Sequence, residues 1–221
     1  MKKIIVTITS LALYMSVYAQ DVHYGVTAGL NISNVSYKTD VWDKPKSMLG
    51  PQIGFFAELP VADRLSIKPQ LQYNVLGYKF PPDDIIGGIN VKLNYITLPV
   101  TAQYEIVSNL KAELGIYAAL LLNGKSKIVP GEEDDFDGIS PTSQYAAASS
   151  YYDDEDLKYT KIEEGLAKSD FGLKGGFNYH FTKKFGAGIH YIMGLSNILT
   201  DADGAKATNK AFSISISYRF K

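Results

Sequence analysis

Cysteine is absent from the 221-residue chain, so disulfides, thiol catalysis and cysteine-based zinc sites are all excluded. Long hydrophobic runs are scarce as well. Beyond the N-terminal segment, no stretch reaches the roughly 20 apolar residues of a membrane helix, so a membrane crossing would have to use strands. An excess of one charge is also lacking. The formal net charge is −1, which gives no reason to expect a nucleic-acid partner.

The N-terminal segment has the pattern of a secretory signal peptide. Lys2 and Lys3 form a positive region, residues 4–17 are mostly apolar, and small residues precede a cleavage position after Ala19. An uncleaved anchor helix is the alternative, but the apolar stretch is short for that role. We therefore expect a signal peptide over residues 1–19 and one domain over residues 20–221.

Alternation of apolar and polar residues dominates the rest of the chain. From Phe212 to Phe220 every second residue is apolar, and three serines and an arginine lie between them. This period of two predicts strands with one apolar and one polar face. Pro69 falls within such a strand and predicts a local bulge. The eight predicted strands cover residues 24–33, 52–61, 65–75, 94–104, 110–122, 171–181, 185–195 and 210–220.

The connections between these segments alternate in length. Short ones follow the second, fourth and sixth segments, and long ones follow the first, third, fifth and seventh. Short turns at one end and long loops at the other are typical of an outer-membrane barrel. The prediction is an all-β, eight-stranded antiparallel up-and-down transmembrane β-barrel, with lipid outside, polar groups inside and both mature termini in the periplasm.

One predicted outer loop, about residues 123–170, is strongly acidic. Between positions 124 and 166 it holds eleven acidic and four basic residues. The run Asp153, Asp154, Glu155 and Asp156 is a weak candidate for a divalent cation, because hard cations prefer clustered oxygen ligands. The simpler interpretation is a solvated anionic loop, since the spacing is not that of an EF-hand.

The polar face of the predicted strands supplies a candidate network inside the barrel. Glu58 and Lys68 flank one short turn, and Gln103 and Lys111 flank the next, so each pair is expected to meet across its hairpin. A satisfied polar core is the main interpretation, and a proton or ion relay is the alternative. His180 and His190 share this face without a third ligand nearby, which is weak evidence for a metal. The candidate residues are Glu58, Lys68, Gln70, Gln103, Lys111, Glu113, Lys174 and Arg219.

Several motifs resemble the PorT-like outer-membrane β-barrel domain family, whose members are small eight-stranded barrels of OmpA/OmpX-like architecture. The resemblance implies a barrel in a Gram-negative outer membrane, mostly without assigned activity, with a minority acting as accessories of a secretion machine. The motifs begin at Tyr24 (Tyr-Gly-Val-Thr-Ala-Gly-Leu-Asn), Tyr95 (Tyr-Ile-Thr-Leu-Pro-Val), Phe171 (Phe-Gly-Leu-Lys-Gly-Gly-Phe), Tyr191 (Tyr-Ile-Met-Gly-Leu-Ser-Asn-Ile) and Ser217 (Ser-Tyr-Arg-Phe).

The expected function is that of a non-enzymatic integral outer-membrane protein whose outer loops contact partners or envelope components. No cofactor and no catalytic residue are predicted. Expected partners are outer-membrane lipid and lipopolysaccharide, with other envelope proteins as a second class, and the barrel is expected to be monomeric. Three alternatives stay open: an accessory of a protein-secretion complex, a soluble lipocalin-like binder, and a passive pore, which eight strands disfavour.

Overall fold

The computed structural model describes residues 22–38, 45–81, 88–129, 158–162, 164–200 and 206–220. The predicted signal peptide and Asp153 to Asp156 lie outside these ranges. No helix among the described residues is long and apolar enough to cross a membrane. The strands are β1 (His23–Lys38), β2 (Lys46–Ala62), β3 (Leu65–Phe80), β4 (Gly88–Val107), β5 (Leu110–Val129), β6 (Thr160–Ile162), β7 (Ser169–His180), β8 (Phe185–Gly194) and β9 (Lys206–Arg219).

Eight long strands pair with their neighbours in chain order and close into a barrel. Every pairing is antiparallel, and β1 joins β9, with Ala28 opposite Ile216. Closure satisfies the backbone hydrogen bonds of both edge strands, which hydrocarbon could not do. The predicted all-β, up-and-down transmembrane barrel is therefore confirmed. The short β6 is an addition that pairs only with β5, placing Lys125 opposite Lys161.

The apolar side chains of the alternating pattern point away from the barrel axis. Leu30 is 55% exposed, Phe55 and Ile116 are each 64% exposed, and Ile214 is 53% exposed. A water-soluble carrier would bury these groups, whereas a transmembrane barrel presents them to lipid. We call this surface the apolar belt, and on the eight long strands it includes Leu30, Phe55, Leu71, Leu98, Ile116, Phe177, Ile189 and Ile214.

The two ends of the barrel differ in their connections. At one end, here the turn end, β2 and β3 are joined by Asp63 and Arg64, and β4 and β5 by Ser108 and Asn109. Asn109 has a φ of 70°, a left-handed conformation that asparagine tolerates better than most residues. His23 and Arg219 also lie at this end. The opposite end is here the loop end.

Several strands continue further toward the loop end than the alternation predicts. The fifth predicted strand ends at residue 122, but β5 runs to Val129, so part of the predicted loop 123–170 is sheet. The register explains the difference. Tyr95 lies opposite Leu121 and Asn94 opposite Asn123, so Leu122 is an extra residue that reverses the alternation.

The bulge predicted at Pro69 is wrong. Ile67 lies opposite Leu59 and Gln70 opposite Phe56, so the register of β3 against β2 is the same on both sides of the proline. The ladder therefore accommodates the missing N–H without an inserted residue. The shifts between β2 and β3 lie elsewhere, one between Ser47 and Gln52 and one between Pro60 and Ala62.

Candidate functional site

The interior of the barrel near the turn end contains two buried carboxylates, those of Glu58 and Glu113. Glu58 lies on β2 and is 2% exposed. Arg219 on β9 donates to Glu58 Oε2 over 2.8 Å, and the Lys111 ammonium on β5 pairs with Oε1. The Ser66 hydroxyl adds a 3.4 Å contact. Two cations from strands that do not pair with β2 therefore hold this carboxylate, as a buried charge requires.

Glu113 on β5 is the second carboxylate and contacts five polar side chains. The amides of Gln103 and Asn178 donate to its Oε2 over 2.9 and 2.7 Å. Lys68 and Lys174 lie 3.7 Å from the carboxylate, one at each oxygen. The Nε2 atom of His190 lies 3.0 Å from Oε1. One side chain thus links β3, β4, β7 and β8 across the interior.

The partners in this charged layer differ from those expected at the hairpins. Gln103 lies opposite Glu113, and Lys111 lies opposite Glu105. The register of β4 against β5 therefore differs by two residues from the expected one. Lys68 contacts Glu113 and lies 4.9 Å from the Phe56 ring, while Glu58 is neutralised by cations from β5 and β9. The ion pairs of Glu58 and Lys68 therefore join strands that are not neighbours in the sheet.

Positive charge exceeds negative charge in this layer. Glu58 and Glu113 face three lysines and Arg219, an excess of two cations when both histidines are neutral. The Arg219 guanidinium lies 2.9 Å from Nε2 of His180. Arginine has only donors, so that ring nitrogen accepts and His180 does not add to the positive charge.

A chain of short polar side chains crosses the middle of the lumen. The Ser213 hydroxyl donates to Asn31 over 2.6 Å, Asn31 donates to Asn74 over 3.1 Å, and Asn74 donates to Thr97 over 2.7 Å. These residues lie on β9, β1, β3 and β4. All four are fully or almost fully buried. The chain therefore links four strands through the interior of the barrel.

Asp170 on β7 lies closer to the loop end and accepts hydrogen bonds from three elements. The Tyr117 hydroxyl and the Asn209 amide each donate to its Oδ2 over 2.9 Å. The Ser196 hydroxyl donates to its Oδ1. Asp170 is 2% exposed. It is absent from the sequence-predicted network, although it has the same parity as Lys174 and lies one residue before the predicted strand.

The loop-end half of the lumen is apolar. The alternating pattern had predicted a polar inner face for most strands. The one signal was the fifth predicted strand, whose inner face is polar only in its first half. Leu93 and Ile198 are completely buried, and Tyr95 is 1% exposed. The buried cluster consists of Val35, Leu76, Val91, Leu93, Tyr95, Tyr117, Ala119, Ile192, Ile198, Ala207 and Ala211.

The segment at residues 195–200, here the plug segment, covers this apolar cluster. The Ile198 amide donates to Ala207 and its carbonyl accepts from Ala167, both over 2.9 Å. Leu199 forms an isolated antiparallel β-bridge with Leu166. An internal cavity of about 10 Å³ remains below the plug, between Tyr117 and Lys174. That volume suffices for one water molecule.

The eight predicted network residues all lie inside the barrel, although they form more than one group. Glu58, Lys111 and Arg219 form one cluster, and Glu113 gathers Lys68, Gln103 and Lys174. Gln70 accepts from Gln72 over 3.0 Å. Among the described residues, no three His, Asp or Glu side chains are arranged to hold a metal ion.

Solved structures of other proteins are similar to this chain. Neisserial surface protein A has a solved structure that superposes with a TM-score of 0.51 at 13% identity, covering 89% of this chain and 97% of that one. Ail, the attachment invasion locus protein of Yersinia pestis, gives 0.48 at 12% identity, covering 90% and 98%. A search of curated proteins found no match.

A family model for the outer membrane protein β-barrel domain matches residues 18–200, which is most of the sequence. The matched region includes β1 to β8 and therefore Asp170, the plug segment and the charged layer apart from Arg219. The chain belongs to the outer membrane protein β-barrel domain family.

Proposed function

We propose that this barrel is a non-enzymatic outer-membrane protein of the PorT-like kind, whose loop end faces the cell exterior and contacts partners or envelope components. Its termini lie in the periplasm, and the barrel serves as the anchor. The observation that carries the proposal is the apolar belt, which appears on all eight long strands while the interior is filled and closed.

The filled lumen supports the non-enzymatic assignment. His180 accepts from Arg219, and His190 faces Glu113 within the packed charged layer. Both histidines are buried among residues that already contact one another. A substrate that entered from the loop end would have to pass the hydrogen-bonded middle of the lumen to reach these groups.

The same packing opposes a passive pore. Ions would have to pass the charged layer, the polar chain from Ser213 to Thr97 and the apolar cluster under the plug segment. Eight strands enclose an interior that side chains fill. We therefore expect the surfaces at the two ends of the barrel to carry the function. The loop end has the longer strands and connections.

The orientation follows the usual arrangement of such barrels, with short turns on the periplasmic side. The proposed exterior face includes the ends of β4 and β5, which extend to Gly88 and Val129, and the added strand β6. These strands continue past the apolar belt and would project from the membrane. They offer a rigid base for contacts made by the loops.

Membrane fractionation with heat-dependent gel mobility tests the proposal. Expressed in a Gram-negative host, the full chain should sediment with the outer membrane and migrate differently before and after boiling. Protease added to intact cells should cut tags placed in the long connections but spare a tag at the C-terminus. A soluble periplasmic protein with no heat-dependent mobility would contradict the membrane assignment.

Two further measurements separate the alternatives. Planar-bilayer recordings should show no steady conductance, and a stable single-channel current would favour a pore. Affinity purification from outer membranes should yield the barrel with lipid. Stoichiometric recovery of the same envelope proteins under mild detergent would instead favour an accessory of a secretion complex.

A further inference from the structure

Three lysines lie side by side on the outer face of the sheet near the loop end. Lys92 on β4 is directly opposite Lys125 on β5, and Lys125 is directly opposite Lys161 on β6. We call Lys92, Lys125 and Lys161 the lysine row. Residues opposite each other in a ladder project from the same face, and like charges in such pairs destabilise a sheet. An anion bound between the ammonium groups would offset their mutual repulsion.

The described part of the chain supplies little negative charge at this end. Of the acidic residues that the structure describes, only Glu164 and Asp170 lie toward the loop end. Asp170 is buried in the lumen, where it accepts hydrogen bonds. A second pair of opposed lysines, Lys46 and Lys79, lies at the same end of β2 and β3. Among the described residues, opposed lysines therefore occur on four neighbouring strands and on β6 at this end.

The lysine row lies immediately beyond the apolar belt. Moving toward the loop end, the outward residues of β5 change from Leu120 and Leu122 to Asn123 and then Lys125. Between the belt and the row, the Tyr73 hydroxyl donates to Asn94 over 2.9 Å, and Asn94 donates to Asn123 over 2.7 Å. Tyrosine side chains are enriched at the boundary between hydrocarbon and head groups.

One member of the row is also held in place. The Lys92 ammonium lies 4.0 Å from the centre of the Tyr159 ring, a cation–π contact just before β6. A fixed ammonium loses less side-chain entropy on binding than a free one. The row thus combines opposed charges, a position at head-group height and partial preorganisation.

We propose that the lysine row binds the phosphate groups of a phosphorylated glycolipid in the outer leaflet. This inference rests on the proposed function, because it requires the loop end to face the exterior. A phosphate monoester carries close to two negative charges and can bridge adjacent ammonium groups. Membrane lipid is favoured over a soluble polyanion because the row adjoins the apolar belt, where acyl chains would lie against Leu120 and Leu122.

Binding of bisphosphorylated lipid A to the purified full-length barrel tests the proposal. The barrel, held in a neutral detergent, is titrated with this lipid and the bound fraction is read by native mass spectrometry. The double variant Lys92→Gln with Lys125→Gln should bind about thirtyfold more weakly, and higher salt should reduce the difference. The matched control, Lys183→Gln with Lys184→Gln at the turn end, should bind as the wild type does.

Three results would overturn the proposal. Equal binding by the two double variants would remove the lysine row from the site. Equal binding of dephosphorylated lipid A would show that phosphate is not recognised. Binding that appears only after Asp153, Asp154, Glu155 and Asp156 are changed to their amides would show that the chain's own acidic segment occupies the row.

Heat-dependent gel mobility of every variant separates this inference from the proposed function. A double variant that keeps the mobility shift is a folded barrel, so weak lipid binding then reports on the row itself. If the double variant loses the shift, the single variant Lys125→Gln, with Lys184→Gln as its control, replaces it in the titration. Loss of the shift in the wild type would instead contradict the barrel assignment.

Discussion

The Tyr117 hydroxyl donates to Asp170 Oδ2 over 2.9 Å, in the buried zone between the polar and apolar halves of the lumen. Through Asp170, β5 is connected to β9 by Asn209 and to the plug segment by Ser196. Asp170 therefore connects the barrel wall to the segment that closes it.

Asp170→Asn should loosen the plug segment. All three partners of Asp170 donate to its carboxylate. The amide removes the negative charge, and hydrogen bonds to a charged acceptor are roughly twice as strong as bonds to a neutral one. The expected loss is about 1–3 kcal/mol of stability. Amide hydrogen exchange should accelerate at Ile198, whose N–H is bonded to Ala207. Asp63→Asn in an exposed turn is the control, and unchanged exchange in the Asp170 variant would contradict this role.

Glu113→Gln should destabilise the charged layer. The substitution leaves Lys68 and Lys174 buried without their carboxylate, and removing one partner of a buried ion pair costs about 3–5 kcal/mol. Urea unfolding followed by gel mobility measures the loss. Glu105→Gln, a half-buried residue on β4 near the turn end, should change the midpoint little. Equal midpoints for both variants would mean that the Glu113 contacts contribute no net stability.

Ile216→Lys should impair membrane insertion. Ile216 is 61% exposed on the apolar belt, and a lysine facing lipid at the middle of the bilayer costs about 2–4 kcal/mol. The fraction folded into vesicles, read from the mobility shift, should fall sharply. Ile216→Val keeps an apolar surface and should fold normally. A lysine variant that folds as efficiently as the valine variant would argue against lipid at this face.

Gly172→Ala should be far more disruptive than Gly175→Ala on the same strand. A Cβ at Gly172 would lie 2.1 Å from the Met193 carbonyl oxygen and 2.8 Å from the Tyr117 ring. At Gly175 the nearest atom would be a Leu114 methyl at 3.3 Å. Overpacking of this kind costs about 1–3 kcal/mol. Thermal unfolding of both variants gives the comparison, and similar midpoints would contradict the tight contact at Gly172.

The barrel could be predicted from the sequence because alternation and connection length are local properties. The parity of Ile214 and Ser213 already separates the two faces, and the structure places Ile214 outside and Ser213 inside. Strand ends were harder to predict. Leu122 is an extra residue opposite the bend between Asn94 and Tyr95, and one inserted residue reverses the pattern on which the prediction depends.

The arrangement of the interior could be predicted only in part. Parity assigns Glu58 and Lys68 to the lumen, but it does not predict that Glu58 pairs with Arg219, 161 positions away. That contact depends on closure of β1 against β9. The plug is a similar case, because Ile198 lies outside the long strands and is buried by the chain folding back over the barrel.

Single cysteine labels test lipid contact at the apolar belt directly, because the chain has no cysteine of its own. Ile116→Cys and Ile214→Cys, each carrying a fluorescent probe, would be folded into vesicles and exposed to a lipid-borne or an aqueous quencher. If the apolar belt contacts lipid, the lipid-borne reagent should quench both probes strongly and the aqueous one should quench them little. Strong aqueous quenching with no lipid effect would contradict it.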